Sequence, residues 1–552
     1  MRVSTAREMA AIDRETIAAG VPGEELMERA GRVMSEFLLD FLDAAGHDHD
    51  HHACGADHAH EPDAGILVIC GKGNNGGDGL VIARLLADQG CTVNILMLAA
   101  AEALTGDARL NYDRLPAAVG VVHPDEGQWV ASFVELAESV DVVVDAIFGT
   151  GITPPLRPGH ASLIRAINDA GVPCFAVDIP SGVNGDDGKV DPVAVAADLT
   201  VTVGLPKRGL LLAPGRDFVG DLAVADIGFS EEVCRRQTPD LHWLPREAYL
   251  GLLPPRPGNV HKYNCGSILI VAGSRSFGGA AHLAGMGALR SGAGLITLAV
   301  PRGLETSIRT GLPEAVVAAL AETDAGTLAP VSPEATDALL AGRRALAIGP
   351  GLGSHPDTDR WIVDLLAQRD VPVVVDADGL NAFARLDREP RFASACAVLT
   401  PHAGELGRLP GVDAAMLKER PLDVVGELAR RWRVVLMLKG SPSLIGAPDG
   451  RVFINPNGDD ALARGGSGDV LTGLIGGLLA QGSEPLAAAL LGAYLHGAAG
   501  TLAAAGRSTR SVLVREIAAA IGPVFEEMEK EASSLAPLRE KIWPIVTDGD
   551  EA

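Results

Sequence analysis

The chain has 552 residues, enough for two or more domains with separate cores. Its net charge of −25 argues against a nucleic-acid footprint and reports mainly on solubility. Apolar residues reach 47% and aromatics only 4%, a balance that suits α/β domains with Ala-, Val- and Leu-rich cores.

Met1 to Gly20 is charged and amphipathic and lacks the apolar centre of a signal peptide. The seven cysteines (Cys54, Cys70, Cys91, Cys174, Cys234, Cys265, Cys396) are scattered with no C-x-x-C. They read as reduced thiols in a reducing compartment, so a cytoplasmic protein is expected. No apolar run reaches about 18 residues, so no membrane span or membrane partner is expected. The Gly/Ala-rich end comes closest, but Gln481, Glu484, Pro485 and His496 interrupt it.

Ile12, Ile17, Leu26, Met27, Ala30, Val33, Met34, Phe37 and Leu38 mark two amphipathic helices. The turn signal Gly20-Val21-Pro22-Gly23 parts them. Residues 46–60 carry six of the fourteen histidines. No chemical group is spaced around them, so a solvated insertion is favoured over a metal site.

Ile66 to Cys70 reads as a strand running into Gly71-Lys72-Gly73-Asn74-Asn75-Gly76-Gly77-Asp78-Gly79, and a helix follows. Strand, glycine loop and helix make a phosphate cradle. The dinucleotide version needs an acid after the next strand. That strand, Val93 to Leu98, ends in Ala99-Ala100-Ala101, so an ordinary Rossmann dehydrogenase loses ground. Further strands end in Asp145-Ala146-Ile147-Phe148-Gly149-Thr150-Gly151 and Asp178-Ile179-Pro180-Ser181-Gly182. Ligands of parallel α/β sheets bind at strand carboxyl ends, so these loops are expected to share one crevice with Asn74–Asp78.

Leu26-Met27-Glu28-Arg29-Ala30-Gly31, the Asn74–Gly79 loop, Val144-Asp145-Ala146 and Val177–Gly182 together resemble the NAD(P)H-hydrate epimerase family over residues 1–230. The resemblance implies a Rossmann-like domain. It implies that Asn74, Asn75, Gly76, Gly77, Asp78, Gly149, Thr150, Gly151, Ile152, Thr153, Pro154, Pro155 and Asp178 contact the hydrated nicotinamide nucleotide. It further implies a potassium ion at Asn75, Asp145 and Ser181. The acid/base of the reaction is left open.

Residues 231–250 lose periodicity and begin to gather prolines, and read as a linker. A second series of strands follows. Ser267–Val271 enters Ala272-Gly273-Ser274, Leu346–Ile348 enters Gly349–Gly353, and Val373–Val375 enters Asp376-Ala377-Asp378. Val398–Leu399 enters Thr400-Pro401-His402-Ala403-Gly404-Glu405, and Val434–Leu438 enters Lys439-Gly440-Ser441. This is a second layered α/β domain with its site at the strand ends. G-x-x-x-x-G-K-[ST] occurs nowhere, which excludes a P-loop NTPase.

The densest signal is Gly465-Gly466-Ser467-Gly468-Asp469, entering a helix near Gly468 whose apolar face is Val470, Leu471, Leu474, Ile475, Leu478 and Leu479. Unpaired N–H groups at a glycine-rich helix start attract anions. Asp469 there is either a helix-terminal charge or the base that takes a proton from a hydroxyl attacking phosphorus.

Taken as a set, these motifs resemble the ribokinase-like fold, and within it ADP- or ATP-dependent NAD(P)H-hydrate dehydratases, over residues 251–525. The resemblance implies hydrate contacts at Ala280, Gly353, His402 and Asp469. It implies adenine-nucleotide contacts at Lys439, Gly440, Ser441, Pro442, Ser443 and Gly468. Mg²⁺ is expected on the nucleotide phosphates. Residues 526–552 read as a charged final helix or tail.

The chain is therefore expected to be a fused repair enzyme and a homo-oligomer, with two α/β domains. The first half interconverts R- and S-NAD(P)HX. The second uses ADP or ATP to phosphorylate the S hydrate, and phosphate elimination restores NAD(P)H. The rivals are a small-alcohol kinase with an N-terminal nucleotide-binding module and a non-catalytic nucleotide sensor.

Overall fold

The structure is a computed structural model and describes residues 1–46, 64–152, 155–256, 261–262 and 264–534. The His-rich stretch 47–60, Thr153, Pro154 and the chain end from 535 lie outside the described residues. The chain divides into two compact units, residues 2–241 and residues 242–552, with Met1 grouped in the latter.

The first unit holds seven strands: β1 Gly65–Cys70, β2 Thr92–Met97, β3 Gly120–Val122, β4 Val142–Ala146, β5 Cys174–Val177, β6 Leu199–Val203 and β7 Asp221–Ala225. They pair in parallel in the order β3-β2-β1-β4-β5-β6-β7. This is a Rossmann-like sheet whose strand order reverses between β1 and β4, which opens a crevice at their carboxyl ends. Every residue of β1 is buried. Ile66 and Val68 face one core and Leu67 and Ile69 the other, which explains a continuous apolar run instead of alternation. Helix Gly23–Gly46 packs on helix Asn74–Asp88 through Gly31, where a Cβ would stand 2.3 Å from Val81. Helix Ala6–Ala18 is started by a Thr5–Glu8 capping box, which fixes the helix that carries Asp13.

The second unit contains β8 Leu241–Trp243, β9 Ser267–Val271, β10 Leu295–Pro301, β11 Val316–Leu320, β12 Ala345–Ile348, β13 Val373–Val375, β14 Ala397–Leu399, β15 Val435–Leu438, β16 Ser443–Gly446 and β17 Val452–Asn455. The sheet order is β11-β10-β9-β12-β13-β14-β15-β16-β17-β8. It is parallel from β11 to β15 and antiparallel through β16 and β17. Helix Ser467–Ala480 lies on β9, β12 and β13 and against helix Gly278–Arg290. The two helices touch backbone to backbone, since a Cβ on Gly473 would stand 1.8 Å from the Ala284 carbonyl oxygen.

Two expectations differ from the fold. Residues 231–250, expected as a linker, carry helix Glu231–Gln237, β8 and helix Arg246–Leu250. Prolines punctuate this stretch without dissolving it, and Ala248, Tyr249 and Leu250 join the core. Helix Pro485–Ala504 is, by length and composition, apolar enough to cross a membrane, although no such run was expected. Of its apolar window, 78% is buried inside the unit, so it is a core helix. Its apolarity on all sides follows from that burial.

Candidate active sites

In the first unit, the strand-end loops wall a cavity of about 580 Å³. Asn74, Asn75, Asp78, Gly149, Thr150, Gly151, Ile152 and Asp178 all line it. Gly76 and Gly77 do not. A Cβ on Gly76 would strike the Gly71 carbonyl oxygen at 2.0 Å, and one on Gly77 would strike Met27, so both glycines serve packing. Pro155 is exposed and outside the wall.

Asp145 and Ser181 sit just behind the cavity. Asp145 is fully buried. It accepts bonds from the Ser181 hydroxyl at 2.6 Å, the Ser181 N–H at 2.7 Å and the Ile147 N–H at 3.2 Å. Burial outweighs these bonds and pushes its carboxyl up to about 6. No cationic side chain pairs with it among the described residues. Asn75 is buried beside Gly149, and its amide nitrogen lacks a partner.

Asp178 holds φ +65°, a left-handed conformation at the end of β5. Its Oδ1 accepts from Lys207 at 2.5 Å, and from Thr202 Oγ1 and the Val203 N–H at 3.0 Å each. Lys207 is 1% exposed and lies in the loop after β6. Sequence reasoning missed it, although the strand-end rule that selected Asp145 and Asp178 applies equally to that loop. Asp13 was missed for a different reason: its helix precedes the sheet, and only tertiary packing brings it to the cavity.

In the second unit, helix Ser467–Ala480 starts at Gly466, whose φ of +97° only glycine adopts easily. Lys439 Nζ donates to Asp376 Oδ1 at 2.6 Å, and Thr472 Oγ1 donates to Asp376 Oδ2 at 2.8 Å. A Cβ on Gly468 would stand 3.3 Å from Lys439 Nζ and 3.5 Å from Asp376 Oδ2. The Lys439 loop and the helix mouth therefore do face each other. Burial raises Asp469 to about 7, helped by the charges of Asp376 and Asp378 and opposed by Lys439. Burial pulls Lys439 down, but Asp376 and Glu405 outweigh it and hold the ammonium above its usual range.

Gly353 donates its N–H to Asp378 at 2.8 Å, and Ala280 sits against Gly351. His402 and Lys439 are bridged backbone to backbone. His402 Nδ1 accepts from the N–H groups of Gly404 at 3.0 Å and Glu405 at 3.2 Å, so this histidine is a helix cap. Gly440, Ser441 and Pro442 form the turn between β15 and β16, and Ser443 opens β16. Glycine loop, half-buried lysine and raised aspartate together suit phosphoryl transfer to a hydroxyl.

Residues 268–523 match the family described as NAD(P)H-hydrate dehydratase, and residues 23–209 match the YjeF-related protein N-terminus. The bifunctional NAD(P)H-hydrate repair enzyme Nnr of Moorella thermoacetica is 40% identical over 97% of this chain and 98% of its own. The chain belongs to the bifunctional NAD(P)H-hydrate repair enzymes. The repair enzyme of Salinibacter ruber is 35% identical over 93% of this chain and 94% of its own. A solved ADP/ATP-dependent NAD(P)H-hydrate dehydratase from Bacillus subtilis, co-crystallised with ATP and Mg²⁺, is 34% identical. It covers 51% of this chain and 97% of its own, with a TM-score of 0.45. The two strand-end clusters of this repair enzyme thus fall on separate units, each matched by its own family.

Proposed function

We propose that the cavity of the first unit interconverts the R and S hydrates of NAD(P)H at C6, and that the Asp469 site dehydrates the S hydrate at the expense of ADP or ATP. The observation that carries this reading is Asp469. It stands in the first turn of a glycine-mouthed helix with no hydrogen-bond partner among the described residues, and its carboxyl lies near pH 7. A general base tuned to ambient pH is what proton removal from a hydroxyl needs. Helix N–H groups and Lys439 hold the phosphate, and Asp376 fixes Lys439. Phosphorylation turns the C6 hydroxyl into a good leaving group, and its loss restores the nicotinamide ring.

Two ions fit the donor sets. Asp145 and Ser181 put oxygen donors around a buried carboxylate without a cationic side-chain partner, and the amide oxygen of Asn75 lies beside Gly149, a set of hard donors that suits potassium. A bound cation there would fix the cavity floor. No cluster of three or more His, Cys, Asp or Glu able to hold a metal occurs among the described residues. Mg²⁺ would therefore arrive on the nucleotide, with Asp378 and Glu405 as the nearby carboxylates, and supply charge neutralisation to the phosphates. The six described cysteines are all free thiols, which supports a reducing, cytoplasmic setting.

The test is recovery of reduced-nicotinamide absorbance from mixed hydrate epimers with ADP or ATP. Complete recovery requires both activities. Recovery that stops with the R epimer left over would remove the epimerase. A stable phosphate ester in place of orthophosphate would favour a small-alcohol kinase.

A further inference from the structure

Four aspartates and two lysines line the cavity of the first unit, and of these Asp13, Asp78, Asp178 and Lys207 act on one another. Their partners are unequally shared. All three donors to the Asp178 carboxylate go to Oδ1. Oδ2 receives no hydrogen bond among the described residues. Lys207 gives its protons to Asp178, to Thr202 Oγ1 at 3.1 Å and to the Val203 carbonyl at 2.7 Å. It has none left for a ligand. Asp178 is therefore a carboxylate anchored by one oxygen and bare at the other, on a backbone held in a left-handed conformation.

Asp78 comes from a different element, helix Asn74–Asp88, and its carboxyl has no partner among the described residues. Burial raises it well above the usual carboxyl range, and Asp178 raises it further. Asp13 is also raised by burial, but the first charge acting on it is Lys207, which lowers it. So Asp78, more than Asp13, is the carboxyl whose surroundings favour the protonated form.

We propose that Asp78 is the acid and Asp178 the base of hydrate epimerisation, and that Lys207 is a positioning residue that fixes Asp178. The inference rests on the epimerase reading above and names its proton groups. Asp78 gives its proton to the C6 hydroxyl, which leaves as water while the ring-nitrogen lone pair forms the C6=N1 bond. Water then adds to the other face of C6, the C6=N1 electrons return to nitrogen, and Asp178 takes the released proton. One water leaves and one enters. The proton gained by Asp178 and lost by Asp78 is reset by the reverse turnover or by exchange with solvent.

The experiment compares wild type, Asp78→Asn, Lys207→Met and Lys207→Arg on purified R hydrate in ¹⁸O-water, separating the epimers by chromatography. Wild type should form S hydrate carrying ¹⁸O at C6. Asp78→Asn should slow both conversion and label uptake at least ~100-fold. Lys207→Met should lower kcat about 100-fold with KM within about 3-fold, and Lys207→Arg should recover most of that loss. Asp78→Asn keeps side-chain volume, so it reads the acid role even where Lys207→Met fails to fold. Near-normal rates in Asp78→Asn, or a change in KM alone in Lys207→Met, would overturn the assignment. Conversion by wild type without label would overturn the water-loss step. Wild type that leaves the R hydrate untouched would instead remove the epimerase reading itself.

Discussion

Lys439 and Asp376 form an ion pair at 2.6 Å across 63 residues of sequence, and both of its charges act on Asp469. Burial is the main cause of the raised Asp469 carboxyl; Asp376 raises it further, while Lys439, tied to Asp376, lowers it only in part. With Asp469 as the base, dehydratase kcat/KM should rise with pH along an acid limb near 7. Asp376→Asn removes the raising charge and should move that limb to lower pH. A limb near 4 in the wild type would exclude Asp469 as the base.

Asp469→Asn should cost at least ~100-fold in nucleotide-dependent loss of S hydrate, while nucleotide binding and epimerisation persist. The same variant tests stability. A carboxyl whose folded value is raised from 3.8 to about 7 binds more protons folded than unfolded between those values. Stability then falls as pH rises through that window. Asp469→Asn should melt higher than wild type at pH 8 and about equally at pH 4. A lower melting temperature at pH 8 would mean that the aspartate stabilises its helix.

Gly468→Ala should separate binding from folding. The new Cβ would stand 3.3 Å from Lys439 Nζ, the mobile end of a long side chain. The protein should fold, with nucleotide KM raised and epimerisation unchanged. Gly349→Ala is the contrasting case. Its φ is +131° and its Cβ would meet the Asp376 carbonyl oxygen at 1.8 Å, so the second unit should lose stability outright. Thermal melts of both variants check this contrast.

Much of this arrangement was legible in the sequence. Glycine loops after apolar runs pointed to both candidate clusters, because a parallel sheet buries its strands and exposes only their ends. Gly466–Asp469 read correctly as a helix mouth, one residue off its start at Ser467. What stayed hidden depends on tertiary partners. Asp376 was noted only as part of a motif, and nothing local indicates that Lys439 and Thr472 occupy its two oxygens. The capping role of His402 was hidden because the S/T-x-x-E pattern is met here with histidine in the first place. The strands β3, β8, β10, β11, β16 and β17 were not foreseen. β3 and β8 are only three residues each, too short for a period to show.

Potassium removal should act on one half only. Exchanging K⁺ for tetramethylammonium, too large for the Asp145 cradle, should slow epimerisation while S-hydrate dehydration continues. Ligand linkage gives about 2–3 kcal/mol of stabilisation at a hundred-fold excess over Kd, so a melting shift is expected as well. Asp145→Asn should lose that shift. Equal melting of the wild type in both salts would remove the potassium assignment.

His496 is the polar interruption in helix Pro485–Ala504, and its Nε2 meets Ser467 Oγ at 3.0 Å in the core. Ser467 opens the anion-binding turn, so His496 braces the helix mouth from behind. Burial, with Lys439 nearby, lowers the imidazole to about 4, and it stays neutral at working pH. A histidine depressed in the folded state binds fewer protons there than when unfolded, so stability falls as pH drops from 6.5 through 4. The full loss is roughly 3 kcal/mol. His496→Gln keeps a partner for Ser467 and cannot be protonated, so it should flatten this acid limb of the melting curve. His496→Leu removes the partner, and the unpaired buried hydroxyl should cost about 1–3 kcal/mol at pH 7. Nucleotide KM should rise in His496→Leu more than in His496→Gln, because only the former frees the turn that holds the phosphate. Melting curves from pH 4 to pH 8 for the three proteins decide it, and an unchanged acid limb in His496→Gln would place the titrating group elsewhere.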